Sequence, residues 1–180
     1  MIATACAVPI TVVLAFLLTA GHGSSKQPKT SGPLPAVSVA APPSPSAATS
    51  AACVKVFAKL PVQLGTLAPR KTDTDSSFVA AWGDPAIVLR CGVPKPAAIN
   101  DTSNPPQYQD VNGVIWLPDL QQKQVVYTTI DRSVYVEVTV PANADQPLPL
   151  LAPAIDALPQ VCTAGDAAGN LGNPKLPVCN

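Results

Sequence analysis

The chain has 180 residues with eleven basic and eleven acidic side chains, so its formal net charge at pH 7 is zero. This balance, without a basic stripe, excludes a typical nucleic-acid-binding protein, and the length allows one domain of ordinary size. His22 is the only histidine and lies near the amino terminus, so a Ser-His-Asp or Cys-His catalytic arrangement in the cysteine-bearing part of the chain is excluded.

Residues 1–20 form an apolar segment that predicts a transmembrane anchor or a signal segment. Ile2 to Ala20 contains no charged side chain, and a helix of this length crosses ~30 Å of hydrocarbon. No A-x-A cleavage site follows closely, which favours a retained anchor over a cleaved signal peptide. Cys6 precedes most of the apolar run, so it does not have the position of an acylated lipoprotein cysteine.

Residues 21–50 are predicted to be a flexible stalk. They are rich in Pro, Ser and Ala, so they cannot bury enough apolar surface to fold alone. Lys26 and Lys29 follow the apolar segment and, by the positive-inside rule, oppose export of the rest of the chain. The stalk and the cysteines beyond it favour export. We therefore expect residues 51–180 to be an extracytoplasmic domain with a Gly- and Asn-rich tail, held at the cell membrane or secreted after cleavage.

Four cysteines lie in the predicted domain, namely Cys53, Cys91, Cys162 and Cys179. An even number in an oxidising compartment predicts two disulfides, and four cysteines allow three pairings. We expect Cys53 to pair with Cys91, and Cys162 with Cys179. A zinc site would need closely spaced ligand pairs such as C-x-x-C, and the sequence contains none.

Two short helices are predicted near the ends of the domain. In the first, Ala51 to Leu60, the apolar residues Val54, Phe57 and Leu60 would share one side of the helix, with two lysines on another. The second helix covers Leu150 to Leu158 and lies among several prolines.

Between these helices, apolar runs separated by turn signals predict an antiparallel sheet. The turns are Gly83-Asp84-Pro85, Asn112-Gly113 and Asp131-Arg132. The segment from Pro94 to Tyr108 is predicted to be a long surface loop. The predicted strands are Gln63–Thr72, whose signal is the weakest, Phe78–Trp82, Ala86–Val93, Val114–Leu117, Gln124–Ile130 and Ser133–Val140.

The last of these strands has the clearest alternation. The valines at positions 134, 136, 138 and 140 would face the core, and Tyr135 and Glu137 would face water. Trp82 and Trp116 lie among apolar strand residues, so we expect them in the core. The predicted fold class is α+β: a small antiparallel sheet with short helices at both ends of the domain, stabilised by disulfides.

Four side chains are the candidate binding residues: Arg90, Arg132, Tyr135 and Glu137. If they converge on the polar face of the sheet, they would form a patch for a peptide, glycan or protein partner. Alternatively, Arg90 and Glu137 form only a cross-strand pair worth under ~1 kcal/mol.

No catalytic, metal or cofactor site is predicted. A glycosidase needs two carboxyl groups flanking one bond, and nothing in the sequence pairs two of the aspartates or the single glutamate. The run Asp73-Thr74-Asp75-Ser76-Ser77 begins like a calcium loop, but Phe78 stands where glycine is required and Asp84 where glutamate is usual. A polar turn before a strand is the preferred interpretation.

The run Trp82-Gly83-Asp84-Pro85 to Arg90-Cys91-Gly92-Val93 resembles the signature of an actinobacterial family of exported proteins, the domain of unknown function 3515. The likeness spans Cys53 to Leu158. It implies an amino-terminal membrane segment and an extracytoplasmic domain, and it implies no reaction and no catalytic residues. Two further stretches resemble the family: Val111-Asn112-Gly113-Val114-Ile115-Trp116-Leu117 and Thr129-Ile130-Asp131-Arg132-Ser133-Val134-Tyr135-Val136-Glu137-Val138-Thr139-Val140-Pro141.

We therefore expect a membrane-tethered or secreted cell-envelope protein that acts as a binding or structural module. Its partners would be the membrane, through the N-terminal segment, and an envelope protein or glycan, but not nucleic acid. The alternative is a small cell-envelope hydrolase that uses paired carboxylates. A cleft that holds two carboxyl groups within ~10 Å of each other would favour the hydrolase.

Overall fold

A computed structural model describes residues 33–101, 103 and 106–161 of the chain. These residues form two α-helices, a short 3-10 helix at Ala97–Asn100 and seven strands, so the predicted α+β class is confirmed. The α-helices are α1 (Ala47–Phe57) and α2 (Leu148–Ile155). The strands are β1 (Pro69–Arg70), β2 (Val79–Trp82), β3 (Ile87–Cys91), β4 (Gln109–Val111), β5 (Val114–Leu120), β6 (Gln124–Thr129) and β7 (Val136–Pro141).

The seven strands form one sheet in the order β1-β2-β3-β7-β6-β5-β4, and every neighbouring pair is antiparallel. Two of the predicted turns close short hairpins. Gly83 has a φ of 77° in the β2–β3 turn, and Asn112 and Gly113 have φ values of 53° and 78° between β4 and β5. A two-residue turn with positive φ at both positions matches the right-handed twist of the strands it joins.

The connection between β6 and β7 is wider than the predicted turn at Asp131-Arg132. Residues 130–135 leave the ladder because the Asp131 and Arg132 side chains are buried and the backbone pairs elsewhere. The N–H of Ser133 donates to the Pro159 carbonyl at 2.9 Å, and Arg132 forms an isolated bridge with Gln160. The C-terminal end of the described chain therefore fixes this connection.

The core lies between one face of the sheet and the two helices. Alternate residues of the central strands point into it: Leu89 and Val138 have no exposed surface, and Val136 has none either. Burying such a side chain stabilises a fold by about 1.5–3 kcal/mol. Trp82 and Trp116 are also buried, as predicted.

Helix α1 begins four residues earlier than predicted, because the Ser46 hydroxyl oxygen accepts a hydrogen bond from the Thr49 N–H and caps the helix. The predicted apolar side is wrong for Val54, which is 57% exposed. Cys53 and Val56 face the sheet instead. The helix has this rotation because Cys53 is joined to Cys91 of β3.

The disulfide between Cys53 and Cys91 confirms one of the two predicted pairings. Its Cα atoms are 5.7 Å apart, within the range that a disulfide requires. Cys162 and Cys179, and with them the second predicted pairing, lie outside the described residues. The apolar segment 1–20 also lies outside them. Among the described residues, no helix is long and apolar enough to span a membrane.

Residues 35–42, which we name the strap, lie across the second face of the sheet. The N–H of Val37 donates to the Lys71 carbonyl at 2.8 Å, and the Val37 carbonyl accepts from the Asp73 N–H at 3.0 Å. The Val39 N–H donates to the Asp73 carboxylate at 2.8 Å. A flexible-stalk description therefore does not fit this part of segment 21–50, because residues 70–73 hydrogen bond to the Pro35, Val37 and Val39 backbone groups.

Candidate binding groove

The second face of the sheet carries the side chains that alternate with the core residues. Its central part consists of side chains from β3, β7 and β6, and it is only partly covered. The strap covers it on one side, and residues 93–101 and 106–108 cover it on another, where Ile99 and Tyr108 pack against Ile115, Leu117 and Ile130. The uncovered part between them is a groove in two sections.

The two groove sections have volumes typical of ligand sites. The first lies between the strap and the β5–β6 hairpin and measures about 660 Å³, and the second lies beside residues 93–101 and 106–108 and measures about 830 Å³. Small-molecule and cofactor sites commonly occupy about 300–1,000 Å³. The residues shared by both sections form the centre of the groove: Arg90, Asp119, Val126 and Glu137.

Arg90 and Glu137 form an ion pair on the floor of the groove. They are directly opposite each other in the β3–β7 ladder. Glu137 Oε1 accepts from Arg90 Nε at 2.9 Å and from Nη2 at 2.7 Å. The predicted cross-strand pair is thus present, and its side chains are 25% and 14% exposed. Both hydrogen bonds end on Oε1 and none within the described residues ends on Oε2, so that oxygen is available to a donor in the groove.

Arg90 also connects the floor of the groove to its wall. Its Nη1 donates to the Ala40 carbonyl of the strap at 3.2 Å. The guanidinium group thereby holds the carboxylate of Glu137 and the backbone of the strap at the same time. A substitution of Arg90 would loosen both, so Glu137 is the better position for a functional test.

The opposite wall is a polar edge made by the end of the β5–β6 hairpin. The Gln121 side-chain amide donates to Asp119 Oδ2 at 3.0 Å, and the Gln124 amide donates to Gln121 Oε1 at 2.8 Å. Lys123 is exposed beside them and lines the first section. The groove therefore offers carboxylate, amide and ammonium groups next to the Arg90–Glu137 pair.

Arg132 does not belong to this groove, which corrects the predicted four-residue patch. Its side chain is 2% exposed and lies against Asp131. Nη2 donates to the Gly113 carbonyl at 2.8 Å and to Asp156 Oδ1 at 3.1 Å. Burial raises the pKa of Asp131 above its usual value, and the charge of Arg132 opposes that rise only in part. The Arg132 side chain points towards Asp156 at the end of α2. Because Arg132 lies outside the β-ladder, the alternation of strand residues does not determine which way its side chain points.

Tyr135 does not line the groove either. It precedes β7, and its carbonyl accepts a hydrogen bond from the Gly92 N–H at 3.0 Å. The phenol is half-buried, and burial raises its pKa. Of the four predicted binding residues, the structure brings together Arg90 and Glu137 and separates them from the other two.

The family-like run around β2 and β3 has mainly structural contacts. The Trp82 indole donates to the Val62 carbonyl at 3.2 Å, and Gly83 accepts from Arg70 Nη1 at 2.6 Å. Gly92 has a φ of 85°, and a Cβ there would lie 3.1 Å from a Thr49 methyl carbon. A Cβ at Gly83, where φ is 77°, would lie 3.2 Å from the Leu67 side chain. These contacts explain the tryptophan and both glycines, and Arg90 alone of the run's polar side chains lies on the groove floor.

The groove residues that the sequence did not single out are Asp119, Lys123 and the strap. Strand β5 extends to Leu120, three residues beyond its predicted end, and this extension carries Asp119 onto the second face. The alternation of Asp119 with Leu120 was the sequence pattern that could have predicted this extension. The strap has no such pattern, because its contacts are made by backbone groups.

The described residues contain no group of three or more His, Cys, Asp or Glu side chains that could hold a metal ion. In the run that begins like a calcium loop, Asp73 accepts the Val39 N–H, and Thr74 accepts the Ser76 N–H at 3.2 Å. The preferred interpretation of that run as a polar turn agrees with these contacts.

Comparison with known proteins gives one result. A family model described as "Protein of unknown function (DUF3515)" matches residues 6–162. No curated protein and no solved structure matches the chain.

Proposed function

The chain belongs to the DUF3515 family of proteins of unknown function, and we propose that its domain is an extracytoplasmic binding module of the cell envelope. The observation that carries this proposal is the groove, with the partly exposed Arg90–Glu137 pair on its floor. An ion pair with no role beyond stability does not need an adjoining concave surface of ligand size. Concave sites with a few convergent polar groups are where proteins usually bind ligands.

The disulfide supports a location outside the cytoplasm. Cys53 and Cys91 are joined, and disulfides persist in oxidising compartments and are rare in the cytosol. The uncharged segment Ile2–Ala20 has the composition of an anchor or signal. We therefore place the domain on the outer side of the membrane, tethered there or released.

The groove gives less support to a carboxylate hydrolase. Asp119 and Glu137 both line it, but a general acid needs surroundings that favour its protonated form. Glu137 is instead 2.7 Å from a guanidinium nitrogen, and Asp119 is exposed and accepts an amide hydrogen bond. This arrangement suits recognition of a polar envelope protein or glycan.

Crosslinking of the tagged full-length protein in intact cells tests the proposal. Glu137→Ala removes the groove carboxylate, and Lys59→Ala removes an exposed charge just beyond α1, outside the groove. We expect the wild type and Lys59→Ala to yield the same crosslinked species and Glu137→Ala to lose it. Thermal unfolding checks that all three proteins are folded. If they are folded and crosslink equally, the groove is not the binding site.

A reporter fused to the carboxyl terminus tests the location. We expect an enzyme that is active only outside the cytoplasm to be active in this fusion. A fusion that is active only with a cytoplasmic reporter would contradict the proposed location.

A further inference from the structure

The strap has one paired and one unpaired backbone edge. Successive residues of an extended chain direct their N–H and C=O groups to opposite sides. Val37 uses both of its groups, and Val39 its N–H, towards residues 71–73. Ser38 and Ala40 must therefore direct theirs to the other side. Within the described residues, no hydrogen bond reaches the Ser38 N–H, the Ser38 carbonyl or the Ala40 N–H.

The unpaired edge faces the groove. The Ala40 carbonyl accepts from Arg90 Nη1, and Arg90 lies on the groove floor. Ser38 and Ala40 are exposed, and residues 37–40 all line the first section. A donor, an acceptor and a second donor thus stand in sequence along one wall.

We propose that the groove binds an extended segment of a partner protein, which adds as a strand beside Ser38–Ala40. This inference rests on the proposed function, since it names the occupant of the same groove. An unpaired strand edge is a template for another chain, and strand addition is a common mode of peptide recognition. A glycan lacks the alternating amide donors and acceptors that this edge would pair with.

The floor of the groove adds side-chain specificity to this backbone pairing. Alternate side chains of an added strand point to the floor, where Glu137 Oε2 and Asp119 are near an apolar area that includes Val88 and Val126. A segment with a lysine or arginine directed at Glu137 and an apolar residue two positions away would complement both areas.

Amide hydrogen exchange on the full-length protein tests the pairing. The probe is a short peptide enriched from a random phage-displayed library on the full chain. In the free protein, the Val37 and Val39 amides should be protected and the Ser38 and Ala40 amides unprotected. With the peptide at saturation, exchange at Ser38 and Ala40 should slow by about tenfold or more, because both N–H groups become hydrogen bonded. Unchanged exchange at these two amides overturns the inference.

A pair of variants separates backbone from side-chain recognition. Ser38→Pro removes the N–H donor, and Ser38→Ala keeps it while removing the hydroxyl. We expect Ser38→Pro to weaken peptide binding by about tenfold and Ser38→Ala to leave it within about twofold. Equal affinities of the two variants, both with wild-type thermal stability, contradict strand addition.

Three further outcomes also overturn the inference, and they differ in whether the proposed function remains supported. If peptidoglycan fragments perturb the groove and no peptide does, the proposed function stands and the strand proposal fails. If a peptide of residues 21–32 of this chain binds best, the occupant is the chain itself and not a partner. If neither peptide nor glycan binds and Glu137→Ala leaves crosslinking in cells unchanged, both proposals fail.

Discussion

Replacement of Asp131 by asparagine should destabilise the domain by about 3 kcal/mol. Asp131 and Arg132 form an ion pair whose side chains are only 6% and 2% exposed. Asp131 Oδ1 accepts from the Ile115 N–H at 3.1 Å, and Oδ2 accepts from Arg132 and from the Gln160 amide. An asparagine amide has only one acceptor oxygen, so its NH₂ group would face a donor in either orientation. Removing one member of a buried pair typically costs 3–5 kcal/mol, because the other charge remains buried. The lower end applies for two reasons. Arg132 Nη2 keeps Asp156 and the Gly113 carbonyl, and the burial that raises the pKa of Asp131 already disfavours its charged form.

Thermal and urea unfolding of the full-length protein measure this cost. About 3 kcal/mol corresponds to a decrease in Tm of about 10 °C for a domain of this size. The double variant Asp131→Asn, Arg132→Met should lose less than the sum of the single variants, by more than about 1 kcal/mol, because it leaves no uncompensated charge. A change in the free energy of unfolding of less than about 0.5 kcal/mol for Asp131→Asn would show that Asp131 and Arg132 do not form a buried ion pair.

Three further predictions concern pH, the disulfide and the register of β7. Because the folded pKa of Asp131 is raised, the folded state binds more protons than the unfolded state as the pH falls through that value. The stability of the wild type relative to Asp131→Asn should therefore increase on acidification, as followed by urea unfolding at several pH values. The double variant Cys53→Ser, Cys91→Ser opens a loop with a sequence separation of 38 and should lose up to about 4 kcal/mol, measured by urea unfolding. Val136→Asp places a charge at a fully buried position and should cost several kcal/mol. Glu137→Ala removes the partly buried partner of Arg90 and should cost less, about 1–3 kcal/mol, so equal Tm values for these two variants would contradict the register.

The central strands were predictable because their side chains follow a period of two. Val136 and Val138 point to the core and Glu137 to the second face, as their alternation indicates. The same rule placed Arg90 opposite Glu137, since both lie inside the β3–β7 ladder. That half of the candidate site follows from sequence pattern and strand pairing alone.

The sequence did not predict the position of the Arg132 side chain or the strap, and both lie outside the β-ladder. Arg132 lies in the β6–β7 connection, and its direction is set by Asp131 and Asp156, which no periodicity encodes. The strap was also unpredictable, because it is held by Arg70, whose Nη2 donates to the Pro35 carbonyl, and by Asp73. Such long-range contacts between a side chain and the backbone of a proline-rich segment leave no local pattern.

The exposed lysines of the domain offer the most direct test of the groove as a binding site. A photo-crosslinking lysine analogue is placed at Lys123, which lines the groove, or at Lys59, which is exposed just beyond α1. After irradiation of intact cells that express the full-length protein, we expect a discrete adduct from position 123 and none from position 59. We also expect Glu137→Ala to remove the adduct. An adduct from position 59 alone, or the same adduct from both positions, would contradict binding in the groove.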